Sequence, residues 1–141
     1  MGVMRHMAAC LVVMGLGASP VLAGELEDEI IGYMDFATEA EGIILPQQLT
    51  EDVFGEIHFV DVRSAEAHAT GTIPGAVNIE WRQVPGRLAE LPESGMVVLF
   101  CDTGVRSSQA TFAARVLGRS NVLVMQSGYQ GWLRDAAYKP E

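Results

Sequence analysis

Residues 96–100 read Met-Val-Val-Leu-Phe, and the run ends directly on Cys101. No polar residue alternates with the apolar ones, so neither face of this segment is suited to water. A strand of that kind belongs inside a sheet covered on both sides, the usual setting of parallel strands. Apolar β-rich runs recur at Ile57–Val62 and Val122–Met125, with helix-forming stretches between them. Strands alternating with helices predict an α/β fold, with a mainly parallel central sheet flanked by helices. In such sheets ligands bind at the carboxyl ends of strands, and Cys101 stands at one.

The residues after Cys101 explain why a thiol at that place is reactive. Asp102, Thr103, Gly104, Val105 and Arg106 form a short loop with one glycine, and helix-forming residues begin near Ser107. The pattern predicts a strand, a tight turn and a helix. Backbone N–H groups in such a turn point inward, and the following helix adds its positive N-terminal end. Both stabilise an anion on the sulfur, so the thiol pKa is expected below its ordinary value of about 8.5. Free cysteine is also a common inert core residue. The position of Cys101 at a strand-to-loop junction argues against that use.

The remaining elements follow from composition. Residues 25–41 carry Glu25, Glu27, Asp28, Glu29, Asp35, Glu39 and Glu41, with Leu26, Ile30, Ile31, Met34 and Phe36 near helical spacing. This predicts an amphipathic helix with an acidic, solvated outer face. Ile43 to Pro46 reads as a short edge strand ended by proline, and Gln47 to Phe54 as a short helix. Ser64 to Ala69 reads as a helix capped by Ser64. A turn over Gly71–Gly75 and a short strand over Val77–Ile79 come next. Helices are expected over Val84–Leu91, Ser107–Leu117 and Gly128–Ala137.

The first 23 residues have the layout of a targeting segment. Arg5 supplies a positive start, Ala8 to Ala18 is apolar, and Val21-Leu22-Ala23 precedes Gly24 with small residues at cleavage spacing. The reading is a cleavable signal peptide over 1–23, an acidic helix over 24–42 and a single folded domain over 43–138. The protein is then exported, to the periplasm, and touches a membrane only through this segment if it is uncleaved. Removing 23 of the 141 residues leaves 118, enough for one core-forming domain. It also removes Arg5, taking the net charge from −9 to −10, and Cys10, leaving Cys101 as the sole cysteine. A lone cysteine forms no internal disulfide, and so acidic a chain is not built for nucleic acid.

Four segments in order carry a family resemblance. They are Val60-Asp61-Val62-Arg63, then Gly71-Thr72-Ile73-Pro74-Gly75-Ala76-Val77-Asn78-Ile79, then Phe100-Cys101-Asp102-Thr103-Gly104-Val105-Arg106-Ser107, and finally Ser127-Gly128-Tyr129-Gln130-Gly131-Trp132. Together they closely resemble the rhodanese-like domain, a single-domain sulfurtransferase, over roughly residues 43–135. The resemblance implies a three-layer sandwich around a mainly parallel sheet. It implies that Cys101 takes a sulfane sulfur from a donor such as thiosulfate, becomes a persulfide, and passes the sulfur to cyanide or a thiol. No metal and no organic cofactor are implied. The partners would be a small sulfur-containing anion and a thiol acceptor, which can be a protein thiol.

Asp102 to Ser107 would supply main-chain donors to the sulfur, and Arg106 would bind the donor's anionic end. A structural pairing of Arg106 with a carboxylate such as Glu66 is the alternative. Asp61 and Arg63 would brace the site, and Asp102 has no catalytic task. The family commonly has histidine where this chain has Thr72, so no histidine role is carried over to that turn. Trp132 and Tyr129 would pack the last helix, with Trp81 a packing residue near the pocket. Three rival functions remain, one of them disulfide exchange, for which the mature chain has no resolving cysteine. Cysteine phosphatases also cradle a thiolate in a loop before an arginine, but with five intervening residues where this chain has four. A non-catalytic binding module of the same fold would not need the thiol that this chain keeps.

Overall fold

The computed structural model describes residues 20–140. Residues 1–19 of the expected signal peptide lie outside the described residues, and its last four, 20–23, begin the first helix. Helix α1 (Pro20–Phe36) leads into strand β1 (Ile43–Ile44), a 3-10 turn (Pro46–Gln48) and helix α2 (Glu51–Gly55). Strand β2 (Ile57–Asp61), helix α3 (Ala65–Thr70), strand β3 (Val77–Asn78) and a 3-10 segment (Trp81–Glu90) follow. The chain ends with strand β4 (Met96–Phe100), helix α4 (Val105–Val116), strand β5 (Val122–Met125) and helix α5 (Gly128–Asp135). No helix among the described residues is long and apolar enough to cross a membrane.

The five strands form one sheet in the order β1-β5-β4-β2-β3, with every neighbouring pair parallel. The apolar run of β4 is its middle strand, in register with β2 from Ile57–Met96 to Asp61–Phe100. Its side chains divide by the two-residue period of a strand. Val97 and Leu99 join Val60, Val62, Ala110, Ala114 and Val122 in a core under α4 and the 3-10 segment. Val98 and Phe100 join Phe59, Leu49, Ile73, Met125 and Trp132 in a second core under α2 and α5. Both faces are dry, so Val97, Val98, Leu99 and Phe100 are all fully buried. Each such side chain contributes about 1.5–3 kcal/mol of burial free energy.

This topology also places the site. From β2 the chain moves to β3 on one side, and from β4 it moves to β5 on the other. Connections diverge at the carboxyl ends of β2 and β4, which opens a crevice where α/β sheets bind ligands. Asp61 ends β2, and Cys101 follows β4 at that crevice.

Several expected boundaries move for identifiable reasons. The expected helix at 47–54 divides, because Thr50 caps a new helix by accepting the Val53 N–H. The expected helix at 84–91 is a 3-10 segment with non-helical backbone at Arg87. Pro85 within it lacks the N–H that a regular helix would use. The acidic helix ends at Phe36 rather than residue 41. The turn after it is held by a contact across the fold, between Glu41 and the buried Arg115 guanidinium.

Candidate active site

Cys101 is 4% exposed as a residue, yet it lines an open cavity of about 260 Å³ with Asp102, Thr103, Val105 and Arg106. Its sulfur accepts the Gly104 N–H at 3.2 Å and the Ser107 hydroxyl at 3.5 Å. Burial pushes the Cys101 thiol up. Hydrogen bonding from the Ser107 hydroxyl and from the N–H groups of Ser107, Thr103 and Arg106 more than offsets it, and the thiol lies below its ordinary range. The Gly104 N–H and the Ser107 hydroxyl are thus the donors within hydrogen-bond distance of the sulfur.

The helix begins earlier than composition suggests. Gly104 has a φ of +95° and caps a helix that starts at Val105. Its left-handed backbone turns the chain within three residues of β4, which favours glycine at this place. Arg106 and Ser107 consequently lie in the first helical turn, where N–H groups have no partner inside the helix. They are free to serve the sulfur.

The loop is held from behind by α5. The Tyr129 N–H donates to the Cys101 carbonyl at 2.7 Å, and the Gln130 N–H to the Asp102 carbonyl at 3.0 Å. These bonds draw two carbonyls outward, onto the N-terminus of α5. The Asp102 carbonyl shares its peptide plane with the Thr103 N–H, one of the groups that lower the thiol. Gly128 makes the close approach possible. A Cβ there would sit 2.2 Å from the Cys101 carbonyl oxygen and 2.8 Å from the Gly104 nitrogen, at a φ of +55°. Gly128→Ala must push the loop away from α5, and a displacement of about 1 Å costs roughly 10²-fold in rate. Steady-state sulfur transfer by this variant is expected to fall by that factor while its circular dichroism stays native. Sequence inspection placed Gly128 in a motif but gave it no role.

Asp61 and Arg63 pair beside the cysteine loop. Asp61 is fully buried and receives the Arg63 guanidinium at 2.9 and 2.6 Å, together with the Arg63 N–H at 3.0 Å. The same guanidinium reaches the Gly71 carbonyl at 2.6 Å and Asp102 at 3.2 Å, and it lies 4.5 Å from the centre of the Tyr129 ring. Arg63 thus ties β2, the turn before β3, the cysteine loop and α5 together. It also balances the Asp102 carboxylate, which would otherwise oppose a thiolate next to it. Thr72, in the turn before β3, donates its hydroxyl to Asp61 at 2.8 Å. That function needs only a short donor, and nothing in the sequence pattern announced it.

Arg106 departs from one alternative. Its side chain is exposed, and among the described residues it pairs with no carboxylate, Glu66 included. Its field reaches Glu80, which Arg82 holds below the usual carboxylate range by a hydrogen bond, with Arg106 adding a smaller effect. The effect of Arg106 on the thiol comes from its main-chain N–H. Trp132 is buried and stacks with Tyr129 at 5.7 Å, while Trp81 packs at the edge of the α4-side core. His68 meets the Ala76 carbonyl and stays away from the sulfur. Among the described residues there is no cluster of three or more histidine, cysteine or acidic side chains to hold a metal.

The lowered thiol pKa has a measurable sign. Thiolate persists as pH falls below 8.5, and reactivity is lost only as pH drops through the depressed value. Alkylation rate against pH is expected to titrate below 8.5. In Ser107→Ala the midpoint is expected to move up, because the largest stabilising donor is gone.

The chain matches the family described as Rhodanese-like domain over residues 45–135. A sulfurtransferase of Allochromatium vinosum is 35% identical over 98 residues, spanning 68% of this chain and 88% of that protein. Human thiosulfate:glutathione sulfurtransferase is 35% identical over 108 residues, spanning 67% of this chain and 94% of that protein. The structure of a human single-domain sulfurtransferase superposes with a TM-score of 0.59 at 28% identity, covering 68% of this chain and 98% of that one.

Proposed function

We propose that this chain, which belongs to the rhodanese-like domain family, is an exported sulfurtransferase that carries sulfane sulfur as a persulfide on Cys101. The observation that carries the reading is the sulfur itself: it faces an open cavity and is met by the Gly104 N–H at 3.2 Å. Relatives at 35% identity bear the name sulfurtransferase, which supports the same class of reaction.

The reaction follows from that geometry. The Cys101 thiolate attacks the outer sulfur of thiosulfate, and a new sulfur–sulfur bond forms. The bond to the inner sulfur breaks and its electron pair leaves with sulfite. Negative charge moves from Sγ to the outer sulfur, one atom further into the cavity. Main-chain donors tolerate that shift because they form a surface rather than a single contact. Arg106 is the cationic side chain in the cavity lining and holds the sulfonate end of the donor. In the second half-reaction cyanide or a thiol attacks the outer sulfur, and the Cys101 thiolate is restored. The kinetics are ping-pong.

Export to the periplasm is supported by the layout of residues 1–23: one early arginine, an apolar stretch and small residues before Gly24. The intact mass of protein recovered from the periplasm tests both parts together. Thiosulfate is expected to add about 32 Da, one sulfur atom, and protein alkylated beforehand is expected to gain nothing. No gain overturns the persulfide reading. A mature chain that does not begin at Gly24 overturns the cleavage site.

A further inference from the structure

We infer that a groove beside the cysteine loop seats the uncharged, apolar substituent of the low-molecular-weight thiol that accepts the sulfur. This rests on the sulfurtransferase reading and adds the chemistry of the acceptor. The groove is a cavity of about 340 Å³ between the first turn of α4, the end of β5 and edge strand β1. Thr103 and Val105 line both it and the Cys101 cavity, so the two adjoin there. Ile43, Val124 and Met125 contribute apolar surface to its lining, and none of its lining side chains is ionisable.

Ile43 is 41% exposed and Val105 63% exposed, so apolar surface faces water on both sides of the groove. The two cavities differ in chemistry. The Cys101 cavity holds Arg106 and Asp102 and suits a small anion. Its neighbour offers a charged group no partner, and in a chain of net charge −9 it offers an anionic tail no compensation. Its volume is at the small-molecule scale. A thiol that enters the Cys101 cavity has its substituent directed over Val105 into this space. The acceptor sulfur bonds the outer persulfide sulfur, and Cys101 Sγ takes the electron pair of the broken bond. The acceptor's proton remains with the new persulfide, and no oxidant is consumed.

The test uses protein loaded with thiosulfate and freed of excess donor. Persulfide discharge is followed with N-acetylcysteine amides whose amide tail runs from methyl to butyl. N-acetylcysteine serves as the charged comparison and cyanide as the tail-less one. The second-order rate constant is expected to rise about fourfold for each methylene seated, with N-acetylcysteine slowest among the thiols. Ile43 lies outside the Cys101 cavity. Ile43→Asp is therefore expected to load sulfur and discharge to cyanide as the parent does, but to lose the dependence on tail length. Val124→Thr, which keeps the side-chain shape on β5, is expected to weaken the same dependence and covers a failure of the first variant to fold. A flat series in the parent, or an undiminished one in either folded variant, overturns the inference. Failure to load sulfur is seen before any acceptor is added; it overturns the reading beneath and this inference with it.

Discussion

Cys101→Ser folds as the parent does and transfers sulfur at least about 10³-fold more slowly, with no mass gain from thiosulfate. The substitution exchanges one atom at the end of β4. A hydroxyl there still accepts the Gly104 N–H and still fits beside Ser107, so the contacts that hold the loop remain. The bonds from α5 to the Cys101 and Asp102 carbonyls are made by backbone and are untouched. What disappears is ionisation. The donors around Sγ hold the thiol below its ordinary range, but a serine hydroxyl starts far too high for the same donors to ionise it. Oxygen also cannot form the disulfide-like bond that stores the transferred atom. Thiocyanate formation from thiosulfate and cyanide reads the rate, and thermal unfolding verifies the fold. Turnover within tenfold of the parent would place the chemistry on another residue.

The largest expected loss of stability comes from Asp61→Ala, about 3–5 kcal/mol. Asp61 has no solvent exposure and Arg63 is 6% exposed, so water compensates little for a lost partner. Removing the carboxylate leaves a buried guanidinium with only Asp102 and the Gly71 carbonyl. It also leaves the Thr72 hydroxyl without its acceptor. The damage spreads because Arg63 joins four segments around the loop. A fall in melting temperature of roughly 10–20 °C is expected for a domain of this size. Asp61→Asn, which keeps the shape and some hydrogen bonds, is expected to lose less. Urea titration of the three proteins checks the order, and equal stability of parent and Asp61→Ala would show that the pair is not a brace.

Some of this was legible because it depends on neighbours in sequence. The run Met96–Phe100 names a middle strand whatever surrounds it, since only a sheet covered on both faces hides five consecutive apolar residues. Ser64 and its helix were equally plain, because a cap bonds an N–H three residues away, here that of Ala67. The helix of the loop was misplaced by two residues for a related reason. Val105 is a weak helix former, and Gly104 caps through backbone conformation, which leaves no side-chain signature.

The sequence by itself determined the class of fold, the strand that carries the thiol, and the residue types at the reaction centre. Those follow from hydrophobic period and from the local chemistry of a strand-to-helix turn. Only the tertiary structure decided which way the loop peptides face, because their carbonyls are held by Tyr129 and Gln130, far along the chain. It likewise decided that Thr72 completes the Asp61–Arg63 brace. It assigned Gly128 to a gap against the cysteine loop too narrow for a methyl group. Close packing and hydrogen-bond direction are properties of atoms brought together in space, and a linear pattern records neither.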